Sequence, residues 1–430
     1  MHRISTHRLT AMLLSVCLFM CPSLTACGAG SQKEDAQDSA ADTVETVTEA
    51  VTEPTTVLVT EPPTTTTTEP EPVVFRSPMT NEIIDEELWH KRPIAVMYPI
   101  NPEAQPQYGL NKVDIFYEIM EEGNMSRQMG IIQDWEGLTQ IGNVRSTRSY
   151  FIANSMEWDS VLVHFGGPID YTIELLSRDD VQNLNGTGGI LGEDYGAFYR
   201  IPEWDYSEHS AYTDADHILR AMEAAGYPRE HRDLFYDGPH SNFVEDGEVN
   251  DLTQYENSVS AKFVDMQNSF PVTCSNLTYN EEDHKYYKTL YGVPQCDAVT
   301  GEQLAFDNIF IERAYCVPAA WGSLYLWFKT NDANCNGYYI TQGRMIHCTW
   351  TRKKYYDPVT YKDDAGNEIE VNPGKTMIFM IRNDQDTFTL DGETYGLEGH
   401  DYWKDSVWRA KNPDAAAGEE SEPETQSSGN

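Results

Sequence analysis

The sequence has few basic residues and, beyond its N-terminus, no long apolar run. Lysine and arginine together number 30, against 69 aspartates and glutamates, so the formal net charge is −39. A protein that binds nucleic acid through phosphates needs a basic face, and so does one that lies flat on an anionic lipid surface. No stretch after residue 27 approaches the roughly 18 apolar residues of a transmembrane helix. The composition therefore argues against both partners and predicts solubility outside the cell.

Motifs of catalysis and of metal binding are also missing. No serine lies in a G-x-S-x-G sequence, there is no C-x-x-C, and no histidines have metal-ligand spacing. Residues 332–343 begin like a calcium loop, but the twelfth residue is Gly343 instead of a bidentate glutamate, so a turn between strands is favoured. The sequence predicts no metal and no cofactor. It leaves open whether the protein is an enzyme.

Residues 1–26 are predicted to be a lipoprotein signal peptide. A basic start precedes a short apolar core at 11–21, which is too short to span a bilayer. The core is followed by L-T-A-C-G at 24–28, which resembles a bacterial lipobox. The resemblance implies cleavage before Cys27 and lipid attachment to its sulfur. The lipid would hold the protein on the extracytoplasmic face of the cell membrane.

Residues 27–78 are predicted to form a disordered tether. They are rich in threonine, glutamate and proline, and V-T-E recurs at 47–49, 51–53 and 59–61. Low hydrophobicity and charge of one sign cannot offset the chain entropy lost on folding, so the segment is expected to stay extended. The C-terminal extension, 391–430, ends in a stretch of the same character.

Five cysteines remain once the signal peptide and Cys27 are set aside. They are Cys274, Cys296, Cys316, Cys335 and Cys348. Because five thiols cannot all pair, at least one is expected to be free or to pair between chains. The pairing itself is left open.

The folded part is predicted to be α+β, with two domains. In residues 79–254, strands near 93–97, 113–120 and 127–135 alternate with helices near 171–176 and 214–225, which predicts a three-layer α/β domain. In residues 255–390, short runs of aromatic and β-branched residues are separated by turns. That pattern predicts a mostly antiparallel β domain.

Residues 141–167 are predicted to be the functional centre. They suggest a turn, a helix capped by Ser146 or Thr147, a short strand at 161–163, and then His164 before a Gly-Gly turn. Arg145, Arg148 and His164 thus fall at the ends of elements, where side chains can face a cleft. Loops that follow strands collect at one edge of an α/β sheet, where ligands usually bind.

Several sequence blocks, in order, resemble the YerB-like lipoproteins. They are R-P-I-A-V-M at 92–97, N-P-E-A-Q-P-Q-Y-G-L at 101–110, G-N-V-R-S-T-R-S-Y-F at 142–151, H-F-G-G at 164–167, H-S-A-Y-T at 209–213 and E-V-N-P-G-K-T at 370–376. The resemblance covers residues from about 90 to 385. It implies a secreted lipoprotein with an N-terminal and a C-terminal domain of unknown activity.

Nine residues are candidates for ligand binding because they offer cationic, carboxylate or backbone amide groups near one cleft. They are Arg127, Arg145, Arg148, His164, Gly166, Gly167, Glu118, Glu121 and His209. Guanidinium groups and backbone amides together suit a carboxylate or a phosphate. An anionic small molecule or a cell-wall fragment is therefore the expected ligand of a binding protein.

Three other interpretations remain open. Arg145 and Arg148 would pair with Glu118 and Glu121 as a structural network, with His164 hydrogen-bonded at a strand end. An envelope enzyme would use His164 or a glutamate in acid–base catalysis of an anionic substrate. A scaffold would capture a protein partner through the first domain.

Overall fold

The structure is a computed structural model that describes residues 73–188, 195–201, 207–236 and 238–396. The predicted signal peptide, Cys27, the tether up to residue 72 and the end of the C-terminal extension lie outside these residues. The α-helices within the described ranges are α1 (Glu86–His90), α2 (Ser149–Met156), α3 (Ile169–Leu176) and α4 (Ala215–Ala225). None of these helices has the length and apolar character needed to cross a membrane.

Strands outnumber helices in both predicted domains. The strands are β1 (Phe75–Arg76), β2 (Ile83–Ile84), β3 (Ile94–Tyr98), β4 (Ile115–Met120), β5 (Ser126–Ile132), β6 (Ile141–Gly142), β7 (Val161–His164), β8 (Asn183–Asn185), β9 (Tyr199–Arg200), β10 (Ala211–Thr213), β11 (Val259–Ser260), β12 (Phe263–Asp265), β13 (Asn276–Asn280), β14 (Lys285–Leu290), β15 (Val293–Pro294), β16 (Ala305–Phe306), β17 (Asn308–Ala314), β18 (Cys316–Pro318), β19 (Leu326–Phe328), β20 (Cys335–Thr341), β21 (Arg344–Thr351), β22 (Thr360–Lys362), β23 (Thr376–Arg382), β24 (Phe388–Leu390) and β25 (Glu393–Tyr395). The fold is α+β, as predicted.

An 11-stranded sheet takes strands from both predicted domains. Its order is β11-β21-β20-β17-β23-β4-β5-β3-β7-β8, with β22 paired to β21. The central strand β23 lies between β17 and β4 and runs parallel to both, while β17–β20 and β20–β21 are antiparallel. Residues on both sides of the predicted boundary therefore share one hydrogen-bonded sheet.

A second, seven-stranded sheet packs against one face of the large sheet. Its order is β15-β14-β13-β12-β24-β25, with β16 paired to β14. The rings of Phe116 on β4 and Phe306 on β16 stack with their centroids 6.1 Å apart, and Phe270 lies 5.7 Å from Phe379 on β23. One continuous apolar core contains residues of both sheets.

The elements around the predicted functional centre agree with the sequence, apart from the helix cap. The helix and the strand form in the predicted order as α2 and β7, and Gly166 and Gly167 follow β7 just before α3. The predicted cap at Ser146 or Thr147 is wrong, because Arg148 occupies the N-cap position and no side chain caps the helix. The Ser146 hydroxyl is instead an acceptor for two arginines, as described below.

The five cysteines contain no disulfide. Cys274 and Cys296 are half-buried, whereas Cys316, Cys335 and Cys348 are buried, and Cys274, Cys296, Cys316 and Cys348 are free thiols. The prediction that at least one thiol is free or pairs between chains is confirmed in its first form.

Candidate functional site

Within the predicted functional centre, backbone hydrogen bonds hold the segment at 145–147 against the Gly-Gly turn. Phe165 N donates to Arg145 O at 2.9 Å, and Thr147 N donates to Gly166 O at 3.0 Å. A Cβ atom on Gly167 would stand 3.1 Å from Thr147 O, so the close approach of the two segments favours glycine here. The segment that carries the arginines is therefore fixed by its backbone.

Arg127 and Arg148 converge on Glu121. The Nη2 atoms of the two arginines lie 2.7 Å and 3.0 Å from the carboxylate oxygens of Glu121. Both arginines also donate to Ser146 Oγ, at 2.9 Å and 3.1 Å. All three charged side chains are buried. With Arg145, these two arginines form what we call the arginine cluster.

Arg148 is firmly held by a second carboxylate. Its Nε donates to Glu122 Oε2 at 3.0 Å, its Nη2 donates to Glu122 Oε1, and its guanidinium lies 5.6 Å from the ring centroid of Tyr325. Burial disfavours charge on both groups, but their hydrogen bonds outweigh it. The pKa of Arg148 is therefore raised, and the pKa of Glu122 is lowered. This pair is a structural feature of the cluster.

The positive charge of Arg145 is the least compensated in the arginine cluster. Its Nη1 donates to Glu208 O at 2.8 Å, while the Glu208 carboxylate is 3.4 Å away on a side chain that is 59% exposed. Burial, followed by the charge of Arg127, lowers the pKa of Arg145. The Nε atoms of Arg127 and Arg145 are buried and have no hydrogen-bond partner within the described residues. Burial and then Arg145 lower the pKa of His209.

His164 lies inside the fold and does not face a cleft. It is fully buried, with Nδ1 2.8 Å from Gly166 O and Nε2 3.1 Å from Asn183 Oδ1. Burial lowers the pKa of the imidazole. Gly166 N donates to Asn185 Oδ1 at 2.9 Å, so this amide is already occupied. His164 and Gly166 fasten the turn beside Arg145.

Glu118 is separated from the arginine cluster because it points to the other face of the sheet. Ile119 pairs with Arg127 across β4 and β5, and Glu118 pairs with Gln128. Side chains alternate between faces along a strand, so Glu118 and Arg127 face opposite ways. The carboxylate meets Lys288 Nζ at 2.7 Å between the two sheets, and both side chains are fully buried.

Taken together, the arginine cluster brings five of the nine candidates into one place. Arg127, Arg145, Arg148, Glu121 and His209 interact there, and Glu122 and Glu208 join them. Three arginines thus face three glutamates. The predicted network with Glu121 is present, whereas the predicted partner Glu118 is replaced by Glu122 and Glu208.

A concave site that the sequence analysis missed lies beyond the other end of α2. This cavity, which we call the aromatic cavity, has a volume of ≈210 Å³. It is lined by Pro78, Met79, Trp89, His90, Trp158, Glu230, His231, Asp233, Tyr236 and His240. A groove of ≈380 Å³ shares Tyr236 and His240 with it.

His240 is the central polar residue of the aromatic cavity. It is 7% exposed, its ring stacks on Trp158 with centroids 4.4 Å apart, and its Nδ1 has no hydrogen-bond partner in the described ranges. The nearest carboxylate oxygen is Glu157 Oε1, at 3.8 Å from Nδ1. Glu157 is itself held by Arg352 Nη1 at 3.1 Å and by Val359 N at 3.1 Å.

The sequence carried little signal for this cavity. Trp158 fits the apolar face of the helix predicted before it, and His240 follows a Gly-Pro pair that indicates only a turn. The walls come from Pro78 and Met79, from α1, from Trp158 just after α2, and from residues between 230 and 236 together with His240. No spacing along the chain reveals that these segments meet.

The fold and the sites define a class: a strand-rich α+β protein with a buried arginine–glutamate cluster and an aromatic cavity. Its residues 79–228 match the family model "Protein of unknown function (DUF3048) N-terminal domain", and residues 264–378 match the model of the corresponding C-terminal domain. The chain belongs to this YerB-like family.

The similar sequence and the similar crystal structure both carry the name YerB and come from Bacillus subtilis. "Putative lipoprotein YerB" of Bacillus subtilis (strain 168) is 30% identical over 311 residues, which are 71% of this chain and 86% of that protein. The crystal structure of YerB protein from Bacillus subtilis superposes with a TM-score of 0.61 at 24% identity, covering 73% of this chain and 99% of that one. The second match concerns the fold alone.

Proposed function

We propose that the protein is a lipid-anchored binding protein of the extracytoplasmic membrane face, and that the arginine cluster holds an anionic group of its ligand. The L-T-A-C-G sequence ending the signal peptide and the acidic composition support the anchor and the compartment. The Bacillus relative is named a putative lipoprotein, which agrees with that assignment. Cys27 is the proposed lipid attachment site.

The observation that carries the binding proposal is that Arg145 and Arg127 each have a hydrogen-bond donor that no described residue satisfies and lie close to each other's positive charge. Each has a buried Nε without an acceptor among the described residues, and burial, followed by the positive charge of Arg127, lowers the pKa of Arg145. A buried donor without a partner is costly, by about 1–3 kcal/mol. An anion beside both guanidinium groups would accept these hydrogen bonds and relieve the repulsion.

The anion would displace the carboxylate of Glu208. The Glu208 side chain is mostly exposed, and its contact with Arg145 is long, at 3.4 Å. Glu121 and Glu122 make shorter and more buried contacts with Arg127 and Arg148. Glu208 therefore acts as a weak internal substitute for the ligand. Its removal should strengthen binding.

The test uses residues 28–430, which include all of the compact unit that begins at residue 71. Melting is followed with inorganic phosphate, lactate and muropeptides as probes. A ligand at 100 times its dissociation constant stabilises the native state by about 2.7 kcal/mol. Arg145→Gln should abolish the shift, Glu208→Gln should enlarge it, and the exposed Arg220→Gln serves as the control of equal charge change.

Unchanged binding in Arg145→Gln, or weaker binding in Glu208→Gln, would contradict the proposal. Absence of any shift with all three probes would favour the structural network. An enzyme with His164 as its acid or base has no support from the geometry, since this side chain is buried and both ring nitrogens lie at acceptor oxygens.

A further inference from the structure

The aromatic cavity is lined mainly by aromatic rings, carboxylates and the imidazoles of three histidines. Among the described residues that line it, the rings of Trp89, Trp158 and Tyr236 supply the apolar surface, and neither lysine nor arginine is present. Glu230 and Asp233 bring two exposed carboxylates to the rim. The lining is therefore aromatic and negatively charged.

Such a lining favours a cation. The face of an aromatic ring attracts a positive charge, tryptophan most strongly, and the effect grows when the site is desolvated. The net charge of −39 also gives the whole protein a field that draws cations towards its surface and repels anions. Both effects favour a positively charged ligand at this cavity.

His240 contributes to the aromatic cavity a fixed imidazole ring with a ring nitrogen that is unpartnered within the described part of the chain. Its ring is fixed by stacking on Trp158 and by the hydrogen bond from its backbone N to Pro78 O, at 2.9 Å. Nδ1 is buried and has no hydrogen-bond partner among the described residues, and the nearest carboxylate oxygen, Glu157 Oε1, lies 3.8 Å away.

We propose that the aromatic cavity binds an organic cation of the alkylammonium class. Trp89, Trp158 and Tyr236 would surround the alkyl groups, and Glu230 and Asp233 would balance the charge at the rim. The cavity volume of ≈210 Å³ limits the bound group to the size of a trimethylammonium or a short alkylamine. None of the described residues that line the cavity belongs to the arginine cluster, so a substitution that removes binding at one site should leave the other site intact.

The probes are choline and its uncharged isostere 3,3-dimethylbutan-1-ol, titrated calorimetrically into residues 28–430. The two molecules have the same shape and differ in the positive charge. Choline should bind at least tenfold more tightly than the alcohol, and its affinity should fall with added salt. Equal affinity for the two probes, or no binding of choline at 50 mM, would overturn the proposal.

Variants separate the cavity from the general field of the protein. Glu230→Gln/Asp233→Asn removes the two rim carboxylates, which are exposed, so the fold is expected to be retained. Glu256→Gln/Glu393→Gln removes two exposed carboxylates elsewhere and serves as the matched control. Choline affinity should fall at least fivefold in the first variant and less than twofold in the control.

A third variant tests the rings. Tyr236→Leu keeps an apolar side chain at a half-exposed position but removes the aromatic face. Choline affinity should fall severalfold, whereas the affinity of phosphate for the arginine cluster should not change. If the rim variant and the matched control lose affinity equally, the cation is held by the field alone and the cavity is not its site.

Discussion

The buried pair of Glu118 and Lys288 gives the sharpest test of the fold. Glu118 lies on β4 and Lys288 on β14, so the pair joins strands of the two sheets across their interface. Both side chains are 0% exposed, with Lys288 Nζ 2.7 Å from Glu118 Oε2. The carboxylate also accepts hydrogen bonds from the hydroxyls of Ser126 and Ser275, at 2.6 Å and 2.9 Å, and from Gln128 Nε2 and Thr273 Oγ1, at 3.1 Å and 3.3 Å.

Lys288→Met should lower the free energy of unfolding by about 3–5 kcal/mol, because it leaves a buried carboxylate without its counter-charge. The nearby ammonium overcomes the effect of burial and lowers the pKa of Glu118 in the folded protein. A lowered pKa stabilises the fold above the unfolded value near 4.5, and this contribution is lost as the pH falls. The difference between wild type and variant should therefore be largest near neutral pH and shrink below it.

Urea unfolding of residues 28–430, followed by circular dichroism and tryptophan fluorescence, measures the effect. Lys262→Met, which breaks an exposed ion pair with Glu281, is the control and should move the midpoint little. Adding Glu118→Gln to Lys288→Met should restore much of the lost stability, because the uncompensated charge is removed. The reasoning is refuted if Lys288→Met behaves like the control, or if the double variant loses the sum of both single changes.

Three further predictions concern groups outside the arginine cluster. Burial raises the pKa of Glu312 to about 7, so the stabilisation of the native state by this group is complete below pH 4.5 and is lost as the pH rises towards 7. Glu312→Gln should therefore gain stability relative to wild type between these pH values. A difference in melting temperature that does not change with pH would contradict this. Gly374→Ala should destabilise strongly, since φ is +121° and the new Cβ would overlap the side chain of Asp307; an unchanged urea midpoint would contradict it. Ellman's reagent should label the half-buried Cys274 and Cys296 in the native protein and the buried Cys316 and Cys348 only after unfolding, and fast labelling of more than two thiols would contradict the described burial.

Local pattern was sufficient to predict the elements around the functional centre. Apolar periodicity from Tyr150 to Trp158 marked α2, and the run at 161–163 marked β7. The family followed from the order of short blocks, which is itself a local property. These inferences rest on residues close together in the chain.

The arrangement of the sites depended on contacts that local pattern does not contain. Alternation along β4 shows that Glu118 and Ile119 face opposite ways, but only the register with β5 reveals which of them shares a face with Arg127. His164 was expected at a cleft because it ends a strand. Its burial results from β8, whose Asn183 side chain meets the ring.

The aromatic cavity was beyond prediction for a related reason. Trp89, Trp158 and His240 stand far apart in the sequence, and each alone is typical of an ordinary apolar core. Only the packing of α1, the end of α2 and the loop that carries His240 brings them together in one cavity. The arginine cluster was easier to anticipate because two of its three arginines, Arg145 and Arg148, lie within four residues of each other.

The position of β23 has a consequence for how the chain is made. β4 needs β23 on one side, yet the ribosome delivers β23 roughly 250 residues after β4, which takes about 13–50 s at 5–20 residues per second. During that interval β4 presents an unpaired edge, a common starting point for aggregation. The nascent N-terminal half therefore keeps this edge of β4 unpaired until Arg382 has emerged, and a message truncated before Thr376 would yield a product whose central sheet lacks β23.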